Sequence, residues 1–467
     1  MAAARPVGLA KELLEAARRG DGPEVVRLLA AGANKEAAAS DGRTPLHIAC
    51  EKGHVACVHV LLGAGANKEA VTTGGQTPLY AACWSGHEAC VRALLGAGVN
   101  MEAVEKDGCT PLYAACLNGH EACVRVLLGA GANKEAVTTG GQTPMYAACQ
   151  NGHEACVRAL LAAGANKEAA DKHGWTPLHI ACGIGHAACV RTLVGAGANK
   201  EAANNNGATP LYIACQEGHE ACVRALLDAG ANMEMAKGDT PLYIACFQGH
   251  EACVHALLDA GANTEAVTTG GQTPLYAACW SGHEACVRAL LGADANTEVT
   301  AEHGWTPLYV ACQEGHEACV RALLDAGANT EAVDMTGRTP LYIACENGHV
   351  ACVRALLGAG ANTEVTAEHG WTPLYVACQQ DDEACVRALL DAGANTEAVD
   401  MTGRTPLYIA CRNGHVACVR ALLDAGANKE AADKDGYTPL FIACRNGRLA
   451  CVRALLGAGG EVDLHRM

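Results

Sequence analysis

His316 and Cys319 stand three residues apart at the start of a helical stretch, a spacing from which an imidazole could take a thiol proton and leave a nucleophilic thiolate. Twenty-seven cysteines and 19 histidines in 467 residues raise a second chemistry, metal ligation. The placement of these residues argues against both. The His-Cys pair recurs almost every 33 residues, whereas a catalytic constellation is assembled once and structure is what a repeat copies. Thirteen cysteines follow an alanine (Cys50, Cys83, Cys116 and onward to Cys444), thirteen more lie seven residues later (Cys57, Cys90, Cys123 and onward to Cys451), and Cys109 stands alone. Zinc or disulfide frameworks call for closer spacing such as C-x-x-C, and an odd total leaves at least one thiol unpaired. The expectation is a set of buried, unligated core thiols, each acting as a small hydrophobe in a reducing compartment. No phosphate-binding loop, H-E-x-x-H or G-x-S-x-G motif occurs.

The elements that carry these residues can be read from the stretch between Trp305 and Asn329. Thr306 caps a helix through its hydroxyl, and Pro307 suits the first turn, where its missing N–H is not needed. Leu308, Ala311 and Cys312 give that helix an apolar stripe until Gly315 ends it. A second helix opens at His316, has Cys319, Val320, Leu323 and Leu324 as its apolar face, and stops at Gly327. Two helices this short cannot bury their stripes on each other alone, so the unit needs copies on both sides. Thr-Pro begins at 44, 77, 110, 143, 176, 209, 240, 273, 306, 339, 372, 405 and 438, and every interval but one is 33 residues.

A 33-residue period carrying Gly-x-Thr-Pro-Leu-His/Tyr, Gly-His and Leu-Leu-x-x-Gly-Ala-Asn resembles the ankyrin repeat, over nearly the whole chain. The resemblance implies an all-α solenoid of stacked helix-turn-helix units with β-hairpin fingers along one edge, used for binding other macromolecules. It implies that the Gly-His histidine helps hold the interhelical turn. Enzymes of this kind carry a separate catalytic domain, for which the repeats leave no room, so no catalytic residue and no cofactor is expected. Residues 6–38 keep the two-helix outline without Thr-Pro and carry Glu15 and Glu24 where later units are apolar or Cys, as an N-terminal capping repeat would. Residues 39–465 then form a continuous solenoid of thirteen repeats, a body about 120 Å long if helices pack about 8 to 10 Å apart. One finger, near 233–239, is two residues short, and the expectation is a notched rim with the helical stack unbroken. The family's Thr-Pro-Leu-His survives only at His47 and His179, with Tyr at ten other copies and Phe441 at the last. Tyr cannot reproduce an imidazole's paired donor and acceptor, so a packed tyrosine column is expected in place of the family's hydrogen bonds.

A net charge of −16 with no run of Lys and Arg lacks the footprint of a nucleic-acid binder and favours basic or mixed protein surfaces as partners. No stretch approaches eighteen consecutive apolar residues and Met1 to Ala10 lacks a signal peptide's apolar middle, so a soluble protein of the cytoplasm, with the nucleus left open, is expected, without membrane insertion. A glutamate recurs at one finger place, from Glu36 and Glu69 onward to Glu430, and reads as a solvated acidic rim, stronger where Thr rather than Lys precedes it, from Thr264 to Thr396. Asp381 and Asp382 stand where Gly-His opens the second helix elsewhere, and Asp294 where Gly ends one; both turns should survive with left-handed backbone at Asp, at a cost of about 1 kcal/mol. The last unit looks like an interior one with no polar cap, so its end could be covered by the tail, fray, or take a partner. The chain is expected to be a monomer with end-to-end association open at that end.

The residues that break the period carry the site expectation. Trp175, Trp305, Trp371, Tyr437 and Arg338 stand just before Thr-Pro, and Trp84, Trp280 and Phe247 just after Ala-Cys. By resemblance both places line the concave face, where ankyrin proteins contact targets. Phe247, Trp280 and Trp305 belong to three consecutive units, with Arg338 and Trp371 in the next two, the aromatic-plus-arginine composition on which interface energy concentrates. The function implied is a protein-binding scaffold or adaptor using the groove and finger tips. Two alternatives stay open: a structural or self-associating spacer, and a thiol-rich metal or redox buffer.

Overall fold

In the computed structural model, which describes residues 4–234 and 238–457, the chain is a succession of paired short helices. Thr306 shows how each pair begins. Its backbone is extended (φ −82°, ψ 163°), its hydroxyl accepts from the Tyr309 N–H at 3.1 Å, and Pro307 opens the helix Pro307–Glu314. Gly315 closes that helix in left-handed backbone, φ 78°, and the second helix, Glu317–Asp325, turns Cys319, Val320, Ala322 and Leu323 inward. On the outer side of this helix Arg321 pairs with Glu317 at 2.6 Å, as Arg92 does with Glu88, and both pairs are exposed. Asp294 and Asp381 hold the expected left-handed backbone (φ 59° and 64°), while Asp382 caps the helix Glu383–Asp391 by accepting from the Cys385 N–H at 2.9 Å. The first helix, Ala4–Arg19, is longer than those that follow, and the second, Gly22–Ala30, is capped by Asp21.

Fingers between repeats are single tight hairpin turns, and no strand is assigned among the described residues. In one of them Thr72 N–H donates to Gln76 O and Gly75 N–H to Thr72 O, and Thr73 N–H reaches back to Asp41 O of the preceding finger at 3.0 Å. A positive φ at the closing glycine, 83° at Gly75, ends each hairpin after one rung. The chain divides into two compact units, residues 1–232 and 233–467, at the shortened finger. Within that finger residues 235–237 lie outside the described residues, as do the tail residues 458–467, so the notch and the tail's position fall there.

Repeats are stitched to one another by three sets of polar contacts. The Gly-His histidine belongs to the preceding repeat as much as to its own: His316 Nε2 bonds Trp280 O at 3.1 Å, and its ring lies where a Cβ on Gly282 would be, 2.6 Å away. The rim glutamates are exposed or half-buried, as a solvated rim requires, but they are also bonded across repeats: Glu331 accepts from the Asn362 N–H at 2.9 Å, and Glu36, Glu69, Glu298, Glu364 and others repeat the contact. Tyrosines also bond across repeats, which the sequence put in doubt. Where His47 reaches the Gln76 carbonyl, Tyr113 and Tyr243 donate to the side chains of Gln142 and Gln272, and Tyr309 and Tyr375 to Asp334 and Asp400.

All cysteines are buried except Cys109, which is half-buried, and Cys444, which is exposed. Cys444 corrects the expectation that every periodic thiol is covered. Elsewhere the next repeat packs over this place, as Cys90 does near Cys50, whereas the final described pair, Pro439–Arg445 and Leu449–Gly457, leaves Cys444, Phe441 and Leu449 open. No described helix is long and apolar enough to cross a membrane.

Candidate functional site

Trp280 lies in the last turn of the helix Pro274–Ser281, four residues after Tyr276, so its ring rests on the tyrosine ring at 6.0 Å while more than a third of the residue stays exposed. Phe247 repeats the arrangement one unit earlier, stacked on Tyr243 at 6.4 Å. Trp305 comes from the other side, at the base of a finger, stacked on Tyr309 at 5.7 Å and against His303 at 5.6 Å. Between them the fingers at 268–272 and 301–305 enclose an open cleft of about 600 Å³, lined by Asp239, Tyr243, Gln272, Tyr276, Trp280, Glu302 and Trp305 among others. Burial raises the Asp239 carboxyl above its ordinary range.

The structure thus brings Trp280 and Trp305 into one cleft, with Phe247 outside its lining but packed on Tyr243, which belongs to it. Arg338 is engaged within its own repeat, at 3.0 Å from Asp334 and 3.2 Å from Glu346. Burial would raise the Asp334 carboxyl, but hydrogen bonds from the Arg338 and Thr336 N–H groups and the Thr336 and Tyr309 hydroxyls outweigh it and hold it low. Trp371 is half-buried on Tyr375 at 5.4 Å, and Trp175 half-buried beside His179 at 6.1 Å. Tyr437 stacks on Phe441 at 4.5 Å near the last described helices. In the other unit Trp84, 45% exposed and stacked on Tyr80, lines a separate cleft of about 510 Å³ in which Arg43 bridges Asp41 (2.7 Å) and Glu51 (2.6 Å).

Asp239 is the residue that reading by aromatics missed. It occupies the pre-Thr-Pro place held by Arg43, Trp305, Arg338 and Arg404 in other repeats, and is the one acidic residue there in thirteen copies, a signal present in the sequence. Charge is likewise uneven. Residues 1–232 hold 21 Asp and Glu against 19 Lys and Arg, whereas residues 233–467 hold 29 against 15, so 14 of the 16 net negative charges fall in the unit with the Trp280–Trp305 cleft.

For the thiols, burial and neighbouring charge push Cys319 up to about 12 and Cys123 to about 11, which disfavours the thiolate that metal ligation or nucleophilic attack needs. Among the described residues no group of three or more His, Cys, Asp or Glu is placed to hold a metal.

Overlapping segments spanning residues 13–466 match the family described as ankyrin repeats in sets of three copies. Among solved structures, the human ASB11 ankyrin repeat domain is 33% identical, covering 48% of this chain and 100% of that one with a TM-score of 0.43. The ankyrin repeat domain of Bcl-3, a member of the IκB protein family, is 32% identical over 47% of this chain and 99% of that one, also with a TM-score of 0.43. No curated protein matches.

Proposed function

This chain belongs to the ankyrin-repeat family, whose members are in general protein-interaction modules, and we propose that it is a non-enzymatic scaffold or adaptor that binds a partner protein at the Trp280–Trp305 cleft and its finger tips. The observation that carries the reading is Trp280 itself. At the same place other repeats carry Gln150, Gly183, Gln216 or Gln313, none of which offers an aromatic face. Here a residue able to bury roughly 150 to 250 Å² is left more than a third exposed at the mouth of a cleft. Phe247, Trp371 and Arg338 extend the same surface in neighbouring repeats of that unit, and Trp84, Trp175 and Tyr437 offer further aromatic faces elsewhere.

Trp280→Ala removes that face while keeping the backbone carbonyl that His316 bonds. Partner capture by the full-length chain should weaken about 30-fold, corresponding to about 2 kcal/mol, with little change in thermal stability. Leu323→Ala, at a fully buried position, should instead cost about 2 to 5 kcal/mol of stability. Unchanged capture, or a Trp280→Ala protein that melts as early as the Leu323→Ala one, would remove the basis for the reading. The exposed Phe441 and Leu449 favour a second reading, self-association through the helix pair Pro439–Arg445 and Leu449–Gly457, which light scattering separates from a monomer.

A further inference from the structure

Three places in this molecule show how its repeats receive a guanidinium. Arg43 lies between the finger carboxylate Asp41 and the helix carboxylate Glu51, and Arg338 lies in the same way between Asp334 and Glu346. Arg404 sets its guanidinium over the Tyr408 ring, 5.6 Å from the centroid. All three arginines occupy the residue before Thr-Pro. Among the described residues the cleft between Asp239 and Trp305 holds no such guanidinium: that place carries Asp239 and then Gln272, and where the Arg43 and Arg338 repeats have Glu51 and Glu346 these two repeats have Phe247 and then Trp280. Neither Asp239 nor Glu302 has an ion-pair partner among the described residues. The carboxylates and aromatic faces are present, and the guanidinium is missing.

We infer that this cleft takes an arginine side chain presented by the partner, its guanidinium against the Trp280 and Trp305 rings and its charge met by Asp239 and Glu302. The inference rests on the scaffold reading above and names the partner's chemistry. Arginine fits better than lysine because a planar, weakly hydrated guanidinium stacks on an aromatic face and meets carboxylates through a fork of donors, whereas an ammonium holds its water. The excess of carboxylates in residues 233–467 adds a long-range pull on a basic segment and speeds its encounter. An acidic partner segment would face repulsion from the same field.

The test uses the full chain with 5-fluorotryptophan at its five tryptophans, titrated with tri-arginine and tri-lysine peptides at physiological salt and read by fluorine NMR. The Trp280 and Trp305 resonances, assigned by substitution, should move first with tri-arginine. The Asp239→Asn, Glu302→Gln double variant, whose fold is checked by circular dichroism, should weaken that binding about five- to tenfold. Tri-lysine should bind at least about threefold more weakly than tri-arginine. Equal movement of all five tryptophans, equal affinity for the two peptides, or a double variant that binds as the parent does overturns the assignment. Partner capture is measured separately. If Trp280→Ala abolishes capture while tri-arginine produces no localised shift, the arginine assignment falls and the groove reading stands. If the shift is localised but capture is indifferent to Trp280, the arginine site stands without the scaffold reading.

Discussion

Removing rim carboxylates separates two physical accounts of the glutamate ladder by sign. If the glutamates were only a solvated rim, replacing some of them in a unit with a large acidic excess would relieve repulsion and stabilise it. Carboxylates about 10 Å apart repel by about 0.4 kcal/mol in unscreened water and about 0.1 kcal/mol at physiological salt, so the relief is small. Against it stands a charge-assisted hydrogen bond. Glu298 accepts from the Asn329 N–H at 3.0 Å, Glu331 from Asn362 at 2.9 Å and Glu364 from Asn395 at 3.0 Å, each tying a finger to the next repeat. With exposure taken into account each contact contributes about 1 kcal/mol, several times the repulsion. The Glu298→Ala, Glu331→Ala, Glu364→Ala triple variant should therefore lose about 2 to 3 kcal/mol, read as a lower urea midpoint, because three successive interfaces are weakened together. Glu331→Gln keeps a carbonyl acceptor and should lose less than Glu331→Ala. Amide exchange at Asn362 should quicken about fivefold in Glu331→Ala, corresponding to that 1 kcal/mol. A triple variant as stable as the parent, or more so, would refute the stitch and restore the solvated rim.

Thiol titration of the native protein should show one fast group, Cys444, removed by Cys444→Ser; Cys109, pushed up to about 12 by burial and Glu105, should follow slowly and the rest only on unfolding. His47 and His179 are held below their ordinary pKa, chiefly by burial, so the unfolded chain binds their protons first and stability should fall as pH drops through about 6.5. Replacing both by Tyr, the residue of ten other repeats, should flatten the dependence of the unfolding midpoint between pH 7 and 5.5. Asp294→Gly should raise stability by about 0.5 kcal/mol in thermal melts, since φ is 59° there, and Asp381→Gly should gain less because the Asp381 carboxylate accepts from the Cys418 thiol.

The fold was legible because stacking imposes it on every copy. Thr306 caps, Gly315 ends, and Leu323 is buried in one repeat for the same reasons that their counterparts do so in the others, so the period alone placed them. What the period hid were contacts whose second partner is backbone or lies in the next copy. Nothing about Glu331 announces that its partner is the Asn362 N–H, because every residue has an N–H. Nor does Tyr309 point to Asp334, which becomes its acceptor only when the finger 25 residues later folds against it. Cys444 was misplaced for the converse reason: its burial elsewhere is a property of the following repeat and not of its own sequence.

Site residues obey the opposite rule, since they are the ones stacking does not dictate. The place before Thr-Pro is free to vary, and what stands there decides whether a repeat closes upon itself or stays open. With Arg338 it closes, because Asp334 and Glu346 lie within reach and the charges are met internally. With Asp239 and Phe247 in one repeat, and Gln272 and Trp280 in the next, no such closure forms among the described residues, and the Asp239 and Glu302 carboxylates and the Trp280 face remain available. Large exposed aromatics alone pointed to part of this surface in the sequence, and the reversed charge at Asp239 supplies the rest. A repeat array can therefore acquire a binding site by exchanging one or two residues at a variable place, with the buried stripes of Leu, Val and Cys that hold the stack left untouched.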